Sequence, residues 1–414
     1  MNIVCLAIDR LHWGYLGAYG NTWNETPQFD RLAAESFVFD RCFIDTPKLG
    51  DFYRSLWTGG HVYQAGRGEP VLGLPAAFCD AGWRTLLATD EVEVARHPLA
   101  VGFRDVVEWE LPDAHCAAES AEETLLAQTF SRLIEQTADA ESPFFIWCHL
   151  ASLGRVWDAP WDERTAYLAG DDPDPPAAIE PPNVLLEAGF DPDVLFGWTQ
   201  AYAAQVRVLD LCLGVWRDCL ESSAAAGDTA LMVLGTRGYP LGEHRRLGPC
   251  DDALYAELTH VPMLLRLPGG LGAGARSGSL VYPADVIASL WELCQPGQPG
   301  HSGQPGRPSP MSPTAASVLP VVRGDSEEVR DRLALSSGSD DDVLITPAWY
   351  YRRGARGELF VQPDDPWLES DVADRCRDQT LEADALLADY GQAMREGEIS
   401  QIAPLAHSMR FGVD

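Results

Sequence analysis

Lysine is almost absent from this sequence: Lys48 stands alone among 414 residues, and arginine supplies the other basic side chains. Lysine and arginine together number 30 against 62 acidic residues, giving a formal net charge of −32. A surface of that sign repels phosphate backbones and anionic headgroups, which argues against nucleic acid or membrane partners. No stretch approaches the roughly 18 consecutive apolar residues of a membrane helix. The opening MNIVCLAIDRLHW lacks a basic leader and a small-residue cleavage site, so it reads as a buried first strand and not as a signal peptide. No two of the ten cysteines form a C-x-x-C pair, and Cys5, Cys148, Cys212 and Cys219 sit within apolar runs. That is the pattern of small buried hydrophobes in a reducing compartment, and a cytoplasmic location is expected.

Hydrophobic residues make up 46% of the chain, enough for a packed core. Short runs rich in Val, Ile, Leu or Phe recur at 3–8, 85–88, 144–148, 230–234 and 262–267, as strands buried on both faces require. Helical patterns lie between them. Thr26 is placed to cap a helix beginning at Pro27, with Phe29, Leu32 and Ala33 on one face. Residues 198–221 carry Val206, Leu209, Leu213, Trp216 and Leu220 at spacings of three and four, an amphipathic helix. Strands alternating with helices predict an α/β fold with a mostly parallel sheet covered on both sides. The tract QPGQPGHSGQPGRPSPMSP, residues 295–313, has almost nothing to bury and reads as a loop or linker. It separates a large α/β domain, 1–294, from a small α+β subdomain, 314–414, in which 344–352 and 358–361 flank RGARG like a hairpin. The acidic runs 170–176 and 339–342 lack the oxygen spacing of a calcium loop and read as solvated loops.

Eight segments, taken in order, resemble the sulfatases of the alkaline phosphatase superfamily. They are NIVCLAIDRLHWGYLGAYGN, TPQFDRLAAESFVFDRCF, SLWTGG, SPFFIWCHL, YAAQVRVLDLCLGVWRDCL, VLGTRGYPLGEH, LYAELTHVPMLLRLPG and ELFVQPDDPWLESDVA. The resemblance runs nearly end to end and implies an alkaline-phosphatase-like sheet with its site at the carboxyl ends of the strands. It also implies a divalent cation, usually calcium, held by acidic oxygens. The nucleophile would be a formylglycine made from Cys or Ser, with Arg, Lys and His groups holding the sulfate.

This chain departs from that pattern at almost every chemical position. The opening metal loop should carry two adjacent acids; Asp9 fits the first and Arg10 stands at the second. The nucleophile position falls on Leu49, and the Pro, Ser and Arg of the motif fall on Asp51, Phe52 and Tyr53. A slip of one residue brings Arg54 to the arginine position but makes the nucleophile Gly50. Thr46 is the nearest hydroxyl upstream. The second metal motif reads Thr236-Arg237-Gly238, the expected histidine falls near Gly154, and the expected lysine falls at Asp251. Crowded carboxylates without a cation raise each other's pKa, so losing the metal favours losing the acids. Arg237 is then expected to pair with Asp9 through two hydrogen bonds.

Three readings stay open at this stage. In the first, the chain is a non-catalytic sulfatase-like protein with no metal cofactor. Arg10, Arg54, Arg237, His61 and His244 would then form an anion pocket for a sulfated or phosphorylated small molecule or sugar, or the surface would serve a partner. The second is a sulfuric- or phosphoric-ester hydrolase of altered chemistry drawing on Asp51, Tyr53 and His61, with calcium if the metal site works after all. The third is a structural or assembly role. Each residue also has an ordinary alternative: Asp51 as a helix cap, His61 and His244 as loop residues with local hydrogen bonds. Trp13, Trp23, Tyr53 and Trp57 would either pack a collapsed site or stack on a sugar.

Overall fold

The computed structural model describes every residue except 66–72, 139–142, 252, 295–309, 339–340, 400–401 and 413–414. Most of the Pro/Gly-rich tract therefore lies outside the described residues.

The apolar runs form a twisted central sheet. Its strands in chain order are β1 (Asn2–Asp9), β2 (Phe37–Cys42), β3 (Arg84–Thr89), β4 (Asp105–Glu108) and β5 (Phe144–Leu150). A two-stranded ribbon, β6 (Val184–Leu185) with β8 (Arg246–Leu247), stands apart from it. The sheet continues with β7 (Thr229–Arg237), β9 (Met263–Arg266) and β10 (Arg276–Val281). Across the sheet the order is β10-β2-β9-β7-β1-β5-β3-β4. All neighbours are parallel except β9, which runs antiparallel to both β2 and β7. The short β4 and β10 and the mixed strand β2 were not among the apolar runs predicted.

Side chains of a strand alternate between faces, and β1 shows it directly. Val4, Leu6 and Ile8 belong to one core with Leu209, Leu213 and Trp216 of the helix Pro192–Glu221. Ile3, Cys5 and Ala7 belong to the opposite core with Phe52 and Leu56 of the helix Leu49–Thr58 and Ile287 and Leu290 of Pro283–Leu293. Val318, Val321 and Val322, which follow the Pro/Gly tract, pack into that second core.

The C-terminal part builds a separate antiparallel sheet, β11 (Leu333–Ser336), β12 (Asp342–Ile345), β13 (Trp349–Arg352) and β14 (Glu358–Val361). The hairpin around RGARG pairs Arg352 with Glu358 across its base. The helix Arg377–Glu396 joins this sheet's core through Ala383, Leu387, Tyr390 and Met394. No described helix is long and apolar enough to cross a membrane.

One capping expectation is corrected. Thr26 stands at the cap position of the helix Pro27–Ala34, but its hydroxyl accepts from the Gly17 amide instead. Asp210, on the long helix, accepts from the first amides, Gln28 at 3.0 Å and Phe29 at 2.8 Å. Asp210→Ala is therefore expected to cost about 1–2 kcal/mol in urea denaturation, whereas Thr26→Ser should be nearly neutral.

Candidate functional site

β1 and β7 are adjacent and parallel, and their register brings Asp9 opposite Arg237 at the carboxyl end of the sheet. Arg10 follows with φ +63, a left-handed conformation uncommon for a non-glycine residue. Tyr202 pins this turn: its hydroxyl donates to the Arg10 carbonyl at 2.7 Å and accepts from the His12 amide at 2.8 Å.

Two bidentate ion pairs fill the space that these loops enclose. Arg237 donates from Nε to Asp9 Oδ1 at 2.9 Å and from Nη2 to Asp9 Oδ2 at 2.6 Å. Thr236 adds its hydroxyl to Asp9 Oδ1 at 2.8 Å. Arg10 turns from Asp9, 3.8 Å away, and donates to both oxygens of Asp251 at 2.6 Å. Arg237 Nη1 links the pairs by reaching Asp251 at 3.4 Å. Burial alone raises the Asp9 pKa, but the charge and hydrogen bonds of Arg237, with the charge of Arg10, hold the carboxyl well below the usual range. Burial likewise pulls Arg237 down, and Asp9 more than restores it.

Leu49, at the nucleophile position, opens the helix Leu49–Thr58 and is buried in the apolar core. The second amide of this helix, Gly50, donates to Glu93 at 3.0 Å. A helix N-terminus attracts an anion, and here a carboxylate of the protein already answers it. Tyr53, at the motif's arginine position, is fully buried. Its oxygen accepts from Trp147 Nε1 at 3.2 Å and lies 2.7 Å from His149 Nδ1. With Nδ1 accepting the phenol proton, His149 carries its own proton on Nε2, a buried atom with no hydrogen-bond partner among the described residues. Burial pulls His149 down to about 4, against the nearby Asp9, and pushes Tyr53 well above its ordinary value.

The other candidates do not converge. Arg54 bonds Asp51 at 2.8 Å on the helix surface, and Asp51 lies inside the first turn rather than at its cap, which is Lys48. His61 accepts from the Tyr63 amide and lies 2.8 Å from the Ala334 carbonyl. His244 sits between Glu257 and the Leu368 carbonyl, each at 2.9 Å, and stacks on Tyr255. So Asp51, Tyr53 and His61 form no triad, and each of the five proposed anion-binding side chains already has a partner in the protein. The aromatic residues also separate: Trp13 stacks on Trp367 and His260, Trp23 meets Tyr15 and Tyr167, and Tyr53 meets Trp57. Glu93 and the Tyr53–His149 contact carry no signal in the sequence. Asp251 does, as an acid standing where the resemblance puts a lysine.

Calcium does not fit these residues. Both Asp9 oxygens are engaged by a guanidinium, the neighbouring acid is replaced by Arg10, and the second motif offers Thr236 and Arg237. Gly154, near which the family histidine should fall, lies against this group: a Cβ there would come 2.9 Å from Arg10 Cγ and 3.7 Å from Asp9 Oδ2. Among the described residues no three His, Cys, Asp or Glu side chains come together as a metal site.

The sulfatase family pattern matches residues 1–295. Human iduronate 2-sulfatase is 24% identical over 373 residues, covering 72% of this chain, and the chain spans 65% of that relative's length. The phosphonate monoester hydrolase of Agrobacterium radiobacter superposes with a TM-score of 0.69 at 16% identity, covering 97% of this chain and 96% of its own. A protein solved with its substrate D-glucosamine-2-N,6-O-disulfate gives 0.71 at 15% identity, covering 97% and 99%. The chain belongs to the sulfatase family of the alkaline phosphatase superfamily, and its fold is the alkaline-phosphatase-like one.

Two outcomes are expected from this geometry. Arg237→Met strands the buried Asp9 carboxylate and should cost about 3–5 kcal/mol, while Asp9→Leu combined with Arg237→Met should recover most of it in chemical denaturation. Burial draws His149 from its ordinary value of 6.5 to about 4 in the folded protein. Its contribution is complete above the upper value and lost as pH falls toward the lower one. The stability difference between the parent and His149→Gln should therefore shrink over that interval, as read from denaturation midpoints at stepped pH.

Proposed function

We propose that this protein is a pseudoenzyme of the sulfatase family, with its ester-cleaving site replaced by internal ion pairs, and that it acts by binding. The observation that carries this reading is the bidentate hold of Arg237 on Asp9, which sets a guanidinium against both oxygens of the retained acid, where a metal would have to bind. Leu49 has no atom with which to attack sulfur or phosphorus. Tyr53 does not substitute for it, because a phenol with a raised pKa, bonded to a neutral imidazole, is a poor nucleophile at neutral pH. A site without a nucleophile at Leu49 and without a set of acidic metal ligands is poorly equipped for covalent or metal-assisted ester cleavage. The ligand class follows from the family. One structural neighbour was solved with a disulfated glucosamine, so an anionic sugar ester or similar anion is the first candidate, with a macromolecular partner as the other.

Hydrolysis of 4-nitrophenyl sulfate and 4-nitrophenyl phosphate tests the catalytic half of this reading. Turnover is expected to stay at the background rate, unchanged by Asp9→Ala, and elemental mass spectrometry should find less than about a tenth of an equivalent of calcium or zinc. Turnover abolished by Asp9→Ala, or one equivalent of metal lost with it, would establish an ester hydrolase of altered chemistry instead.

A further inference from the structure

An anion-binding protein needs donors free of carboxylates, and both guanidiniums around Asp9 are paired with carboxylates. A different cavity, of about 430 Å³, retains them. It lies where β2 and β10 meet the small C-terminal sheet, and its lining includes Trp13, Asp40, Arg41, Phe43, His260 and Arg276. None of the residues of the former ester site lines it. Its volume falls within the range of small-molecule sites.

Arg41 has no carboxylate partner among the described residues. Its two terminal nitrogens donate to the Thr346 and Pro347 carbonyls, at 3.1 and 3.3 Å. A guanidinium carries five N–H groups, so three are left without an acceptor among the described residues. Burial draws Arg41 down to about 10, still cationic at neutral pH. The one carboxylate in the lining, Asp40, is neutralised by Arg276, which donates to it from Nε at 3.0 Å and Nη2 at 2.5 Å. His260 is drawn to about 3 by burial and stays uncharged. The lining therefore carries one net positive charge within a strongly negative protein.

The aromatic wall points the same way. Trp13 is stacked between Trp367 and His260, and His260 between Trp13 and Phe43, all with centroids 4.7 Å apart. With both faces of Trp13 and His260 covered, only their edges remain to line the cavity. Ring edges carry the positive end of the aromatic quadrupole. The Trp13 indole N–H is buried and has no acceptor among the described residues. A free guanidinium, an orphan indole donor and ring edges together call for negative oxygen atoms.

From this we infer that the cavity is a binding site for a small organic oxyanion, a carboxylate or a sulfate or phosphate monoester, held by Arg41 and Trp13. The inference gives the proposed binding function a place but does not depend on the ester site being silent.

Calorimetric titration of the full chain with sodium D-glucuronate and with D-glucose 6-sulfate, against neutral D-glucose, tests it. Glucuronate has no ester to cleave, so its binding is read independently of any hydrolytic activity. At least one anion should bind with one-to-one stoichiometry and a dissociation constant below about 1 mM, and glucose should not bind. Arg41→Met should weaken that binding roughly tenfold or more. Trp13→Phe, which keeps a ring in the stack and removes the N–H, should weaken it about fivefold with an unchanged melting temperature. The second variant decides the matter if the first fails to fold. No saturable heat from either anion up to about 10 mM, equal binding of glucose, or folded variants that bind like the parent would each overturn the assignment.

Discussion

The contact between Asp9 and Arg237 sets the terms for everything around it. It joins the ends of two central strands at the point where a doubly wound sheet ordinarily presents its ligand site. A carboxylate buried there without a counter-charge would be protonated or would destabilise the loops. The guanidinium offsets that penalty by bonding both oxygens. Arg10, at the position of a second acid, adds a positive charge that lies 3.8 Å from Asp9 and is not hydrogen-bonded to it. Asp251 pairs with that charge from the loop before Leu254 and Tyr255. Gly154 follows from the same arrangement, since any larger residue would press on Arg10.

The local balance of charge disfavours an anion at this group. Arg10 and Arg237 face Asp9 and Asp251, and Glu93 occupies the helix end at Gly50 while adding to the field at Arg237. Three carboxylates against two guanidiniums leave no positive field for a sulfate. The cavity beside β2 has the opposite balance. At physiological ionic strength screening acts within about 8 Å, so the large negative charge of the protein opposes an incoming anion only weakly at contact distance. Affinity there is governed by the local donors of Arg41 and Trp13 rather than by long-range attraction, which also means slow, unsteered association.

Much of the scaffold could be read from sequence because it rests on local periodicity. The alternating cores of β1, the amphipathic face through Val206, Leu213 and Trp216, and the hairpin around RGARG all follow from spacing. The pairing of Asp9 with Arg237 was legible because the family order places both residues at strand ends. What could not be read depends on partners far apart in the chain. Asp210 caps a helix that begins 183 residues earlier, where Thr26 looked sufficient. Glu93 reaches Gly50 from a short helix (Val92–Ala95) that shows no pattern of its own. Tyr53 finds His149 only because the helix Leu49–Thr58 lies against β5. Trp13, Trp23, Tyr53 and Trp57 read as one group because the family order puts their segments around the pocket, yet Trp13 turns toward Trp367 in the C-terminal part. Tertiary stacking of that kind leaves no periodic trace.

Active sites commonly hold like charges together and so weaken the fold that carries them. Here the opposite charges are paired and form part of the scaffold, so single substitutions toward a metal-ligating set are disfavoured. Restoring an acid at Arg10 would free Asp251 and set three carboxylates around one guanidinium. Restoring a metal-ligating residue at Arg237 would leave Asp9 buried beside Arg10 alone. A lysine at Asp251 would confront both arginines. Each single change strands a buried charge at a cost of several kcal/mol, a large share of the stability of an ordinary domain. Only several changes made together would recover a cation site, and Leu49, buried in the apolar core, would still have to give way to a nucleophile. The contacts that tie these strand ends together are thus the same ones that engage the retained acid.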